Sequence, residues 1–379
     1  MSRTIVDVYA LQTVPPSNLN RDDQGSPKTS YYGGVQRARV SSQAWKRCIR
    51  KDFRETATEA LLGVRTKRIV ELLAERIVAA SDGAIDVTDA QKLAGEIYGA
   101  VGIKLAKPRT KQGDEPAPDE AGYLVFLSNR QFDRLAEFAV SAVASGDASA
   151  AIKAGKRELR EILKQDASID VSLFGRMIAD DTDLNVDAAA QVAHAISVHR
   201  VQSEADYFTA VDDVKERGDD EDSGAAMIGI VEFNSSTLYR YATIDVDALQ
   251  ANLGNAESTR IAVEAFVRGF ATTVPSGKQN TFAHRTLPDL LVVAVRDTQP
   301  VNLVGAFERA VTGDYVRAAT EALVARAKDI DENYGTAPMQ SWVVAVGDET
   351  AGATALGDKV PLAELVSGLS SLVSARLGA

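Results

Sequence analysis

The 379 residues include one cysteine, Cys48, and three histidines, His194, His199 and His284. A lone thiol excludes an internal disulfide and fits a reducing compartment, so the cytoplasm is the expected location. Also missing are a phosphate-binding P-loop, a paired-glycine dinucleotide fingerprint, an HExxH helix and a CxxC pair. Most cofactor chemistry is therefore unsupported, and no cofactor is expected. His194 and His199 stand five apart, off the spacing that puts two ligands on one helical face, so each histidine is read as structural or solvent-facing. Adjacent acids such as Asp22 with Asp23, or Asp180 with Asp181, read as solvated loop residues, and no metal is expected. No apolar run is long enough to span a bilayer, and residues 1–11 carry Arg3 and Asp7 among their apolar neighbours, which excludes a signal-peptide core. No membrane partner is expected.

A surplus of positive charge is lacking too, since the net charge is −11. Taken alone, that argues against a polyanionic partner. Its distribution argues otherwise. Over residues 1–80, 14 lysines and arginines face 8 acids, a surplus of 6, which leaves −17 for the remainder. The chain is polarised, basic end first. With 45% hydrophobic residues it can bury a proper core, and its length fits two or three packing units of a soluble protein.

Residues 3–14 are β-branched and apolar, which predicts a mostly buried strand ended by Pro15 and Pro16, then a polar loop over 17–34. Ser41 and Ser42 predict a capped helix from about 42. Helical spacing recurs over 65–80, 89–101, 128–144 and 150–165. Residues 104–122, rich in proline, glycine and charge, read as a surface loop. The acidic run 212–224 is expected to be solvated, and strand-like sequence follows over 226–241. Helical patterns over 258–272, 316–330 and 362–377 alternate with strand candidates at 290–296 and 341–347. Strands at both ends around a helical middle predict a split α/β domain with a large helical insertion.

Two basic stripes carry the candidate chemistry. Arg37 and Arg39 fall on one side of an alternating segment that leads into the capped helix, where anions are expected to collect. There Gln43, Lys46, Arg47, Arg50 and Arg54 recur at i, i+3, i+4, i+7 and i+11, with Trp45, Cys48, Ile49 and Phe53 opposite. A helix N-terminus followed by cations suits successive phosphates of a nucleic acid, whereas the plainer reading is a solvated helix face. The second stripe, Lys153, Lys156, Arg157, Arg160 and Lys164, has the same spacing but is interrupted by Glu158 and Glu161, so from pattern alone it reads first as salt-bridged decoration and second as a site for another phosphate backbone.

The stretch SNLNRDDQGSPKTSYYGGVQRARVSSQAWKR, residues 17–47, resembles the N-terminal signature of the CasC family, the crRNA-binding backbone subunit of the type I-E CRISPR Cascade complex. Agreement continues in GRM at 175–177, HAISVHRVQSEADYFTAVDD at 194–213, LYRYATI at 238–244 and VPSGKQNTFA at 274–283. The resemblance implies an α/β (α+β) fold with an RNA-recognition-motif-like (ferredoxin-like) palm, an inserted helical finger domain and a β-hairpin thumb. It implies palm over 1–60, 191–199 and 232–379, fingers over 61–190 and thumb over 200–231. Arg21, Lys28, Ser41, Gln43, Lys46 and Arg50 would hold guide phosphates, with Lys278 and Gln279 beside them, while Met177, Phe208 and Thr209 would bracket a displaced nucleotide. The second stripe would then serve the incoming target DNA.

Implied partners are the CRISPR guide RNA, target DNA, other copies of the chain and other Cascade subunits. Reading of target sequence would be left to base pairing. The loop over 107–120 departs from the family in length and proline content, and the palm lacks the aromatic signature of the common RNA-recognition domain. A non-enzymatic scaffold is the leading expectation. Beside it stand a metal-independent CRISPR endoribonuclease of the same fold superfamily and a structural filament protein.

Overall fold

The structure, a computed structural model, describes residues 3–108, 117–178, 181–210 and 227–378. These residues form two compact units, the first made of Met1–Asp52, Val192–Thr243 and Phe266–Ser371. The second comprises Phe53–Gln191, Ile244–Ala265 and Leu372–Ala379. Residues 244–265 and 372–379, expected to share one body with the rest of 232–379, thus cluster with the helical part. Among the described residues, no helix is long and apolar enough to cross a membrane.

The first unit is built on a sheet in the order Asp358–Lys359, Gln340–Ala345, Leu290–Arg296, Ile5–Ser17, Met227–Asp245, Ala195–Ser197, Val35–Val40, Thr29–Tyr32. It is mainly antiparallel, as the pairing of Ile5 with Arg296 through Leu11 with Leu290 shows, and the expected mixed α/β class holds. The first strand runs on through Pro15 and Pro16 to Ser17 rather than stopping before them. A proline removes only a donor, which a strand end can do without. The expected loop over 17–34 contains Thr29–Tyr32, which turns through Gly33 and Gly34 to pair with Val35–Val40. Both glycines have positive φ, as a two-residue hairpin turn requires. A Cβ at Gly33 would lie 1.5 Å from the Glu308 carbonyl oxygen, so side chains are excluded there on packing grounds as well.

Alternating side chains of the central strands, Tyr9 and Leu11, Tyr239 and Tyr241, Leu290 and Val292, meet Ala319, Leu323 and Ala327 of helix Tyr315–Tyr334. Period two on the sheet and period four on the helix therefore close one core. Inside it the Asp7 carboxylate takes donors from Arg296 at 3.1 Å, the Val301 N–H at 3.1 Å and the Tyr241 hydroxyl at 2.9 Å.

In the second unit, helices Ile69–Ala80, Val87–Ala100 and Asn129–Ala144 pack a separate core that includes Leu73, Ile97, Phe132 and Leu135. The third helix opens on a capping box: Ser128 accepts from the Gln131 N–H, and the Gln131 side chain accepts from the Ser128 N–H. The expected continuous helix over 150–165 is two helices, Ala148–Ala154 and Lys156–Lys164, separated at Gly155. A Cβ there would come 2.3 Å from the Phe138 ring, so the break lets Phe138 lie against bare backbone.

Candidate nucleic-acid interface

Short polar residues in the loop after the first strand hold the candidate site together. Asn18 Nδ2 donates to the carbonyls of Gly25 and Glu232, both at 2.9 Å. Asn20 uses its side-chain oxygen to accept the Ser41 N–H at 2.9 Å and its backbone oxygen to accept the Lys28 N–H at 2.9 Å. Exposed Arg21 and half-buried Lys28 are thereby fixed relative to Ser41, which sits buried at the start of helix Ser42–Thr56.

That helix divides its faces as the spacing predicts. Trp45, Ile49 and Phe53 are buried, each contributing about 2 kcal/mol of apolar burial. Gln43, Arg47 and Arg54 are exposed, and Lys46 and Arg50 are half-buried with partners inside the protein. Burial lowers the Lys46 ammonium below its ordinary value, so an arriving anion would relieve a desolvated cation. No acid occupies the first turn, which leaves the positive end of the helix dipole uncompensated by its own side chains.

Lys278 and Gln279 join the same neighbourhood through a close backbone approach. A Cβ on Gly277 would stand 2.3 Å from the Leu19 carbonyl oxygen and 2.7 Å from that of Asn18, so glycine is required to seat this turn on the loop. Lys278 takes a left-handed conformation at the start of the short helix Gln279–Phe282. Phe282 packs on Phe233 with ring centroids 5.8 Å apart, next to the point where the strands Glu204–Ala210 and Met227–Asp245 begin to pair.

This pair is a two-stranded arm with Phe208 opposite Gly229, and the Phe208 ring lies over the bare glycine. Tyr207, Phe208 and Thr209 are all exposed. The acidic run 212–224 lies outside the described residues.

Met177 belongs to the second unit and is 76% exposed, which rules out ordinary core packing for it. Its presentation comes from its neighbours. Gly175, with φ +81°, ends helix Ile169–Phe174, and Arg176 turns inward to donate to the carbonyls of Leu163 at 2.7 Å and Leu184 at 2.9 Å. Burial lowers the Arg176 guanidinium to about 10. Of the second stripe, Lys153, Lys156, Arg157 and Lys164 are exposed. Arg160 instead pairs with Asp181 and, at 3.3 Å, with Asp183, and it holds the Asp181 carboxyl below the usual range.

Arg37 departs from expectation: it is fully buried, donating to the carbonyls of Ser197 and Phe307, both at 2.8 Å, so it is a structural cation and not an anion ligand. Arg240 is a buried cation that sequence reading missed. It stacks on Trp45 at 3.7 Å and Phe270 at 4.2 Å, donates to Gln12, and burial lowers it to about 9. The roles of Asn18 and Asn20 were also missed. Their only sequence trace is the habit of short amides to bond nearby backbone in loops.

The histidines are committed to the protein. His199 accepts from the Thr237 N–H, His284 donates to the Pro275 carbonyl at 3.1 Å, and His194 Nδ1 lies 3.1 Å from Arg39 Nη1. Among the described residues, no group of three or more His, Cys, Asp or Glu could hold a metal.

Comparison with known proteins gives a consistent relationship. The family described as CT1975-like protein matches residues 6–368. A chain of a solved structure titled "CRISPR RNA-guided surveillance complex, pre-nicking" is 35% identical with a TM-score of 0.83, over 98% of this chain and 99% of that one. A second, titled "CRISPR RNA-guided surveillance complex", is 30% identical with a TM-score of 0.73, over 97% and 99%. No curated protein matches.

Proposed function

We propose, from the premise that this chain belongs to the CT1975-like protein family, that it is a subunit of a CRISPR RNA-guided surveillance complex. Within that complex it is the type I-E backbone: a non-catalytic scaffold, acting in the cytoplasm, whose copies polymerise along one guide RNA. Each copy holds guide phosphates and kinks the guide at regular intervals, leaving the intervening bases to pair with target DNA beside the other subunits.

The observation that carries this reading is the linkage of Arg21, Lys28, Ser41 and the 277–279 turn through the residue 18–20 loop, at the N-terminus of the Lys46 and Arg50 helix. Backbone donors, a hydroxyl and cations converge there, which suits phosphates and gives no base-edge readout. The exposed Phe208 on the arm supplies an apolar ring against which a displaced base packs. Against the endoribonuclease alternative, both ring nitrogens of buried His199 are engaged by backbone, Nε2 of buried His284 donates to the Pro275 carbonyl, and His194 is bonded to an arginine, an arrangement that does not favour a general base.

The test is to purify the chain with its genomic neighbours, sequence the RNA that accompanies it, and compare Lys46→Ala/Arg50→Ala. The double variant is expected to lose guide affinity about equally for all spacer sequences and to flatten the salt dependence by at most about two counterions. Sequence-selective losses, or cleavage of repeat RNA that persists through repurification, would overturn the reading.

A further inference from the structure

A cavity of about 20 Å³ opens between the residue 17–20 loop, the Lys28 to Val40 segment and the base of the arm. Lys28, Arg39, Asn20, Asn234 and Ser236 line it, and no carboxylate does. That volume admits one oxygen-sized group.

Three features of its lining point to a charged occupant. Asn234 is only 7% exposed, and its Nδ2 has no hydrogen-bond partner, a state that buried donors rarely keep. Arg39 donates from Nε to the Thr29 carbonyl at 3.2 Å and from Nη1 to His194 Nδ1. A guanidinium has no acceptor, so His194 must accept and its imidazole is neutral. A carbonyl and a neutral ring thus orient Arg39 without cancelling its charge, as a carboxylate would. Finally, partial desolvation and the nearby charges of Arg39 and Lys28 lower the His194 imidazole, so both cations act on this corner of the notch.

We propose that this notch receives one phosphate oxygen of the guide RNA, with Asn234 Nδ2 as a neutral donor, Lys28 and Arg39 as cations, and His194 as the positioning residue for Arg39. The inference rests on the guide-binding reading above and adds Arg39 and Asn234 to its contacts. An ordered water is the competing occupant.

The full-length protein is titrated with fluorescein-labelled poly(U) RNA across a salt series, with melting temperatures as folding controls. Asn234→Ala is expected to bind roughly tenfold more weakly with the salt slope unchanged, because a neutral donor releases no counterion. Asn234→Asp, which sets a carboxylate against the phosphate, is expected to lose more. Arg39→Gln is expected to weaken binding and lower the slope by about one. His194→Leu weakens binding with the slope intact, and His194→Gln, whose amide oxygen can accept from Arg39, restores it.

If wild type binds, Lys46→Ala/Arg50→Ala binds weakly, and Asn234→Ala and Arg39→Gln match wild type, the notch holds water only and this inference fails while the guide-binding reading stands. If wild type does not bind at all, both fail. Should Asn234→Ala not fold, Arg39→Gln decides, and an unchanged slope overturns the proposal.

Discussion

His199 lies against Tyr315 with ring centroids 3.9 Å apart, its Nδ1 donating to the Arg200 carbonyl and its Nε2 accepting from the Thr237 N–H at 3.2 Å. Protonating Nε2 would set donor against donor, and burial holds this imidazole below the ordinary histidine value. A depressed folded-state value means that the unfolded chain binds the proton more readily. The stabilisation is therefore present above the unfolded-state value, near 6.5, and is lost as pH falls through the folded one. His199→Gln, which can still accept, is expected to show a smaller drop in urea midpoint than wild type between about pH 7 and pH 5. Equal drops would remove His199 from the acid response. At this scale sequence showed which residues are charged but not which charges are buried. Arg37, Arg176 and Arg240 look like surface cations in the string of letters, yet each is enclosed by carbonyls or rings contributed by residues distant in the chain. Met177 shows the converse: an apolar side chain in a helical neighbourhood, turned outward because the arginine before it turns in.

Elements with a strong local period were legible, and those set by packing were not. The helix Ser42–Thr56 begins where two serines and a four-residue apolar spacing place it. The Gly155 break was invisible because it answers to Phe138, 17 residues earlier, and the short strand Thr29–Tyr32 because only its pairing partner defines it. One strand of the arm was legible as strand-like sequence over 226–241, but its partner Glu204–Ala210 and the seating of Phe208 over Gly229 were not. That seating yields a prediction. A Cβ at Gly229 would lie 2.3 Å from the Phe208 ring, so Gly229→Val is expected to displace the ring while costing the first unit little stability, since residues 204–209 and 229–233 of the arm are absent from its buried core. Assembled complexes should keep single-copy RNA affinity within about twofold but lose the regular nuclease footprint along the guide. A footprint identical to wild type would take Phe208 out of the spacing role.

Across the whole chain, charge and connectivity are related: the basic first 80 residues supply the loop and helix that converge on the residue 18–20 scaffold, and the acidic excess falls elsewhere. The split of strands around a helical middle was legible because period two and period 3.6 occupy different stretches. The return of residues 244–265 to the helical unit was not, because an amphipathic helix does not record which core it joins. The second stripe lies in that helical unit, away in sequence from the residue 18–20 loop. If the first unit holds the guide, exposed Lys153, Lys156, Arg157 and Lys164 are available to target DNA, whereas Arg160 is committed to Asp181 and Asp183. Exposed cations act weakly one by one and together through counterion release, so several must be neutralised at once. Lys156→Ala/Arg157→Ala/Lys164→Ala is expected to leave complexes with normal RNA content while weakening DNA capture, with a salt slope reduced by up to about three. Arg160→Ala alone should instead lower the melting temperature, because it leaves Asp181 without its partner, and should change the DNA salt slope little. RNA content and DNA affinity measured on the same preparations decide between the roles. Loss of RNA with DNA capture intact would reassign the stripe to the guide, and no change in either would return it to a solvated face.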